Sequence, residues 1–240
     1  MRHIRIHLST YWLKLIFINQ FNIFADMTNF IPIFPLSIVV YPGESLNLHI
    51  FEPRYKQLIN ECYKERKPFG IPPIINNEVQ EMGTLVNVME IVNVQENGEM
   101  DIKTKGASVF RMLELIKSVP DKLYSGAIVN HPANLMTTGK KALMLKVVNA
   151  IRELHKLLKI NKDFNKPDEE LCAYDLAHHA GLSLEDEYEL LKLLREEQRQ
   201  EFLKRHLAKV LPVIAQMETL KDRVKLNGHF KNLSSFRFED

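Results

Sequence analysis

The sequence predicts an α+β protein: a small, strongly bent sheet or partial barrel of short strands with one inserted helix, followed by a helical bundle with a long terminal helix. Apolar residues recur with the strand period of two over residues 31–130, and with the helical period of 3.6 after the His131-Pro132 dipeptide. We therefore expect three segments. Residues 1–27 form an N-terminal extension outside the fold, 28–132 a β-rich domain, and 133–240 the helical bundle.

The net charge is small and comes from the start of the chain. Of 240 residues, 45% are hydrophobic and 26% are charged, as in an ordinary globular protein. The formal net charge of +2 arises from Arg2, Arg5 and Lys14 against Asp26, which leaves residues 27–240 neutral. A neutral body argues against a dedicated nucleic-acid binder, because counterion release requires a basic face.

The first 26 residues differ in pattern from the rest of the chain. A basic start precedes an apolar stretch, as in a signal peptide, but Lys14, Asn19 and Gln20 interrupt the stretch and no small-residue cleavage site follows. The stretch is also too broken to span a bilayer. We expect Met27 to be the natural start and the preceding residues to be an upstream extension. A targeting or membrane-surface segment is the alternative.

The strand-rich part begins with a proline-punctuated strand and a helix. Residues 31–44 predict an edge strand and a tight corner at Pro42-Gly43. Pro53 suits the first position of a helix that stops before Pro68. The expected buried face of this helix consists of Tyr55, Leu58, Ile59, Cys62 and Tyr63.

A hairpin and two further strands are expected next. The dipeptide Asn97-Gly98 lies between two alternating apolar runs, which is a strong signal for a β-hairpin. The stretches "VFRMLEL" and "LYSGAIVN" predict two more short strands. The two cysteines, Cys62 and Cys172, are far apart in apolar patterns, so we expect two buried thiols in a reducing cytoplasm.

The second half of the chain predicts helices. One helix carries Leu143, Val147, Ile151, Leu154 and Leu158 on one face. Pro167 opens a second, Gly181 closes it, and Ser183 with Asp186 resembles the capping box of a third. A long helix bent at Pro212 follows, whose apolar stripe is expected to pack against protein rather than hold a cofactor: Leu203, Leu207, Val210, Val213, Ile214, Met217, Leu220 and Val224.

The stretch "LHIFEPRY" at residues 48–55 contains several side chains that could take part in catalysis. His49, Glu52 and Arg54 could act as base, acid and anion clamp, but no nucleophile elbow accompanies them. A structural role is more economical. The negative charge of Glu52 would interact favourably with the dipole at the N-terminus of the helix. Arg54 would hydrogen bond to Glu52 or to a carbonyl of the strand, and His49 would form a hydrogen bond at the corner between strand and helix. The motif expected to be structural is His49, Phe51, Glu52, Pro53, Arg54 and Tyr55.

Other patterns do not indicate a catalytic or cofactor site. His178 and His179 are neighbours that point to different faces of a helix, and metal-binding motifs are missing. The "TGKK" stretch at residues 138–141 lacks the first glycine and the Ser or Thr of a phosphate loop. The basic cluster of Lys64, Arg66 and Lys67 is expected to be a solvated face. We therefore expect no catalytic residue, no cofactor and no metal.

Several segments together resemble the N-terminal, substrate-binding domain of Lon proteases. They are "IPIFPLSIVVYPGESLNLHIFEPRYKQLI", "KPFGI", "EMGTLVNVMEIVNV", "KGASVFRMLEL", "YSGAIV" and, in the helical part, "AGLSLEDEYELLKLLREEQRQEFLKRHLAKVL". The resemblance covers residues 29–224. One departure is Val109, where many relatives carry an arginine before the phenylalanine, so an ion pair inside the barrel is in doubt.

The resemblance implies a barrel like that of pseudouridine synthases and archaeosine transglycosylases (PUA-like), followed by a helical bundle. It also implies a stand-alone member that lacks the ATPase and peptidase parts of the protease. We expect a cytoplasmic, non-enzymatic module or adaptor whose partners are unfolded or partly folded polypeptides or a partner protein, with no membrane partner. RNA binding is the alternative, since RNA-modifying enzymes share the PUA-like barrel, and a hydrolase is a third class without a visible site.

Overall fold

The computed structural model describes residues 29–230, which divide after Pro132 into two compact units. The expected extension at residues 1–27 lies outside the described residues. The first unit contains the strands and one helix, and the second contains only helices, so the predicted α+β class is confirmed. That the two units are separate domains stays a prediction.

The first unit is built around a six-stranded antiparallel sheet. Its strands are β1 Phe30–Pro32, β2 Ser45–Ile50, β3 Phe69–Ile71, β6 Met82–Val94, β7 Met100–Ile116 and β8 Gly126–Asn130. Strands β1, β8, β7, β6 and β3 lie side by side in that order, and β2 pairs with β7. The sheet does not close into a barrel by a continuous ladder. Among the described residues, only isolated bridges, Ile33 to Gly70 and Leu36 to Pro73, join its two ends.

Strand β7 is longer than predicted. The predicted hairpin is confirmed, since Gly98 adopts a φ of 76° in the turn between β6 and β7. The separate strand expected at "VFRMLEL" is wrong, because these residues continue β7 through Ile116. The strand pairs with β2 over residues 100–105, with β8 over 111–116 and with β6 over 100–111, so one long strand has three partner strands.

Two further predictions for this unit need correction. The edge strand expected over residues 31–44 is limited to β1, and the chain after it makes only bridges before the turn at Gly43, whose φ is 88°. A small hairpin of β4 (Ile74–Ile75) and β5 (Glu78–Val79) was not predicted. Its turn residues, Asn76 and Asn77, have φ values of 52° and 65°, which asparagine tolerates better than most residues.

Helix α1, Pro53–Glu65, packs on the sheet through one apolar face. Tyr55, Leu58, Ile59 and Cys62 are buried as predicted, and the Tyr55 ring stacks on Phe34 with centroids 3.9 Å apart. Tyr63 is exposed, so its predicted burial is wrong. The helix ends because Arg66 enters the left-handed region with a φ of 53°, two residues before Pro68.

The second unit contains four described helices: α2 Lys141–Leu158, α3 Ala173–Ala177, α4 Leu184–Lys192 and α5 Glu196–Phe230. The predicted helix α2 is confirmed, although Leu158 at its end is exposed. Ser183 caps α4 as predicted, since its Oγ accepts a hydrogen bond from the Asp186 amide at 3.1 Å.

The prediction of a single helix from Pro167 to Gly181 is wrong. The chain forms a 3₁₀ turn at Asp168–Glu170, becomes extended, and starts again as the short α3. The restart has a local cause, because the Asp175 carboxylate accepts from the amide of Cys172 at 2.9 Å and from its thiol at 3.1 Å. Cys172 is therefore a helix cap with partial exposure, and its predicted full burial is wrong.

The apolar stripe of α5 is buried only in its first part. Leu203 and Leu207 are fully buried. The predicted packing of the whole stripe is wrong, because four of its later side chains are exposed in the described part of the chain: Val213, Met217, Leu220 and Val224. Pro212 lies inside the helix. Over the described range, no helix is both long and apolar enough to cross a bilayer.

Candidate functional site

One edge of the sheet is open along the second half of β6. Strand β3 pairs with β6 only at residues 84–86, because α1 and its left-handed end at Arg66 precede Phe69 and carry the chain away from the sheet edge. Strand β7 occupies the other side of β6 up to Val94. Among the described residues, residues 87–94 of β6 therefore have no strand on the side that β3 would occupy if it were longer. Unpaired backbone N–H and C=O groups at such an edge can bind another extended chain.

Two β-bulges lie within this open segment. The pairing with β7 passes from Val88 to Glu90 and from Ile91 to Asn93, each time advancing only one residue on β7. Met89 and Val92 are thus the extra residues, and both are exposed, at 59% and 51%. A bulge redirects the side chain it carries. The open edge therefore presents apolar side chains to solvent.

A groove lies beside the start of the open edge. It has a volume of about 590 Å³ and runs between the C-terminal end of α1 and β6. Tyr63, Val88 and Met89 supply apolar surface to it, and Lys64, Arg66 and Lys67 supply cations. The groove thus combines apolar contact with positive charge.

The charges of this groove are available for a ligand. Lys67 pairs with Glu65 at 3.1 Å, and both side chains are exposed. Within the described part of the chain, Lys64 and Arg66 have no ion pair or side-chain hydrogen bond. Burial raises the pKa of the Cys62 thiol to about 12, so the one cysteine in the wall remains protonated near neutral pH. The groove can bind an anion but offers no thiolate nucleophile.

The "LHIFEPRY" residues do not form one catalytic cluster. The His49 ring bonds to Asp101 across the β2–β7 ladder, with Nδ1 and Oδ1 2.8 Å apart, and this hydrogen bond raises the pKa of His49. Arg54 instead donates to Glu52, with Nε 2.8 Å from Oε2. Glu52 precedes α1 in an extended conformation and accepts no capping hydrogen bond from the helix.

The other motif residues surround this corner. Pro53 is the first residue of α1, and Tyr55 is buried beneath the Arg54 guanidinium, 4.5 Å from the ring centroid. Phe51 is exposed and stacks beside His49 with ring centroids 6.2 Å apart. These contacts are compatible with the structural role expected for the motif, which stays a prediction.

Replacing Arg54 with alanine tests that role and should lower the free energy of unfolding by no more than about 1 kcal/mol. The effect is small because the Arg54 and Glu52 side chains are 51% and 38% exposed, so the lost pair is largely solvated. Chemical denaturation measures the change. Unchanged stability together with loss of polypeptide binding would contradict a structural role.

The adjacent histidines His178 and His179 have different partners. His178 bonds to Glu187 at 2.7 Å, whereas His179 packs edge-on against Phe164. Burial lowers the pKa of His179 to about 4, so its ring is neutral near pH 7. Within the described ranges, no group of three His, Cys, Asp or Glu residues could hold a metal ion.

The "TGKK" stretch has a packing role in the second unit. The Thr138 hydroxyl accepts from the Glu196 amide at 3.1 Å, and the Lys140 amide donates to Gln200 at 2.9 Å. Both bonds tie the segment to the start of α5. The segment is thus engaged in protein contacts through one side chain and one backbone amide.

The open edge was not predicted from the sequence, whereas its cations are exposed, as expected for a solvated face. The signals were present: Tyr63 at the end of a helical stripe, Pro68 after the helix, and a run of apolar residues longer than its partner strand. What was lacking was the pairing length of β3, which determines where the coverage of β6 stops.

Comparison with solved structures shows the fold. The chain is similar to a Lon N-terminal domain protein from Xanthomonas campestris, with 22% identity, a TM-score of 0.56, and coverage of 72% of this chain and 96% of that one. It is also similar to the N-terminal domain of the Mycobacterium avium complex Lon protease, with 12% identity, a TM-score of 0.54, and coverage of 75% and 98%. A comparison with curated proteins finds no match.

The sequence itself matches a family model over most of its length. The model describes the substrate-binding domain of the ATP-dependent protease La (LON) and matches residues 31–209. Apart from Phe30, that range includes the whole described sheet, and it also includes α1, the open edge and the described helices up to the first part of α5. The chain therefore belongs to the LON substrate-binding domain family.

Proposed function

We propose that this protein is a non-enzymatic module that binds polypeptide segments, and that the open edge of β6 takes a segment as an added strand. The observation that carries the proposal is the unpaired edge over residues 87–94, with Met89 and Val92 exposed on its bulges. Membership in a substrate-binding domain family supports a binding role. An adaptor that presents bound chains to a partner protein fits the same surface.

The edge is suited to chains of many sequences. Backbone hydrogen bonds to an added strand do not depend on side chains, while exposed apolar residues favour unfolded over folded chains. The ordering of both partners opposes association, so we expect a Kd on the order of micromolar. RNA is a less suitable ligand for this unit, because residues 29–132 contain ten basic and twelve acidic residues.

A double substitution of Met89 and Val92 to serine tests the proposal. We expect it to weaken binding of a reduced, alkylated and permanently unfolded protein by about tenfold, because the added strand then covers less apolar surface. Folding should be retained, since both side chains are already largely exposed. Fluorescence anisotropy of the labelled unfolded protein measures the Kd.

A matched control removes exposed apolar side chains elsewhere in the same unit. Leu113 lies on a bulge of β7 opposite β8, and Leu123 lies in the following loop; both are exposed. The Leu113→Ser/Leu123→Ser variant should bind as the parent does. Equal affinity of the Met89→Ser/Val92→Ser variant and the parent would exclude the β6 edge as the binding surface.

A further inference from the structure

We propose that the groove beside β6 makes this protein selective for acidic segments, namely chains in which apolar residues are followed by aspartate or glutamate. The inference rests on the polypeptide binding proposed above and names the class of segment that the same edge takes. The apolar residues would contact the bulged part of β6. The carboxylates that follow them would reach Lys64, Arg66 and Lys67.

The positive charge of the groove is a local feature. Residues 29–132 contain slightly more acidic than basic residues, yet within this described part of the chain three cations and no carboxylate line the groove. The nearest carboxylate in sequence, Glu65, pairs with Lys67 at the surface. An exposed pair of this kind contributes little, so a ligand carboxylate can replace Glu65 at low cost. The complementary ligand is therefore an anion beside an apolar group.

The strand geometry sets the order of residues in the ligand. Strand β3 runs antiparallel to β6, with Phe69 opposite Val86, and an added strand would continue the line of β3 past Val86. If it too is antiparallel, its first residues lie opposite Val94 and its last residues opposite Asn87, next to the cations. Apolar residues should thus come first and acidic residues last.

The same features favour a polypeptide over RNA. Among the described residues, Tyr63 is the one aromatic side chain that lines the groove, so these residues offer successive bases no stacking platform. The adjoining edge instead presents main-chain groups, which pair with another main chain. RNA is retained as an outcome of the test.

The test uses four blocked peptides of equal length and the full chain. Three begin with the same apolar residues and end with glutamates, glutamines or lysines, and the fourth is the glutamate peptide in reverse order. At about 50 mM salt we expect the glutamate peptide to bind about tenfold more tightly than the glutamine peptide, and the lysine peptide most weakly. The reversed peptide should lose most of this advantage. At about 200 mM salt the preference for glutamate should shrink through screening.

A variant that removes the charges of Lys64 and Arg66 tests whether these cations cause the preference for glutamate. Lys64→Gln/Arg66→Asn should abolish the preference for glutamate and leave the affinity of the glutamine peptide unchanged. Asparagine is chosen because the φ of 53° at Arg66 is left-handed, a conformation that asparagine tolerates. The control variant, Lys117→Gln/Lys156→Gln, removes the same charge at exposed positions outside the groove and should keep the preference.

Four results would overturn the inference. Equal binding of the glutamate and glutamine peptides would exclude charge selection while leaving polypeptide binding intact. Equal binding of the reversed peptide would exclude the antiparallel placement. Failure of all four peptides to bind, with an unfolded protein also unbound, would instead remove the proposed function. Salt-sensitive binding of a structured RNA that the Lys64→Gln/Arg66→Asn variant loses, without peptide binding, would assign the groove to RNA.

Discussion

Replacing Arg199 with methionine should lower the free energy of unfolding by about 3–5 kcal/mol, because the change breaks a buried ion pair and leaves its partner charged. The Arg199 side chain is fully buried in the second unit, and its Nε donates to the Glu196 carboxylate at 3.0 Å. Its other nitrogens donate to the carbonyls of Leu193 and Leu135 at 2.8 and 3.1 Å and to the Asn134 side chain at 2.7 Å. One guanidinium thus joins α5 to the segment that precedes α2.

Two further variants separate buried charge from packing. Adding Glu196→Gln to Arg199→Met should recover part of the loss, because the neutral amide oxygen can still accept from the Ala173 amide, which the carboxylate now binds at 2.7 Å. Arg205→Met on the same helix removes an exposed pair with Glu201 and should cost less than about 1 kcal/mol. Urea denaturation measures all three. A loss at Arg199 as small as that at Arg205 would show that the network contributes little.

Gly106→Ala should destabilise the first unit by about 2–4 kcal/mol. A Cβ at this position of β7 would overlap the Tyr41 carbonyl oxygen and come within 3.4 Å of Thr84 Cγ2. The backbone cannot easily move away, since the Gly106 amide donates to the Glu44 carbonyl at 2.8 Å and its own carbonyl accepts from the Gly43 amide at 2.9 Å. The turn at Gly43 therefore packs on β7 only because residue 106 has no side chain.

The neighbouring residue provides the control for this prediction. Ala107 is exposed and is the extra residue where β7 passes from Gly106 to Ser108 opposite Val86 and Leu85. Ala107→Val adds more volume than Gly106→Ala but should change stability by less than about 0.5 kcal/mol. Thermal unfolding of both variants distinguishes close backbone contact from a general effect of side chains in β7. Similar small losses in both would contradict the contact.

Short-range patterns determined much of the architecture from the sequence alone. The hairpin at Asn97-Gly98, the start of α1 at Pro53, the capping of α4 by Ser183 and the extent of α2 were all predicted. Each depends on residues within a few positions of one another, since turn conformation, capping and helical period are local properties. The change of period after Pro132 likewise separated strands from helices.

Only the tertiary structure decided which of these surfaces are open, buried or paired. Tyr63 belongs to a helical apolar stripe but faces a groove, and Arg199 belongs to a charged stretch but is fully buried. Met89 and Val92 are exposed because residues 87–94 of β6 pair with only six residues of β7, 100–105, which leaves two extra residues on β6. The edge of β6 beyond Val86 is free because β3 begins only at Phe69, which lies opposite Val86. Burial and pairing are determined by segments distant along the chain, so neither composition nor periodicity near a residue contains this information.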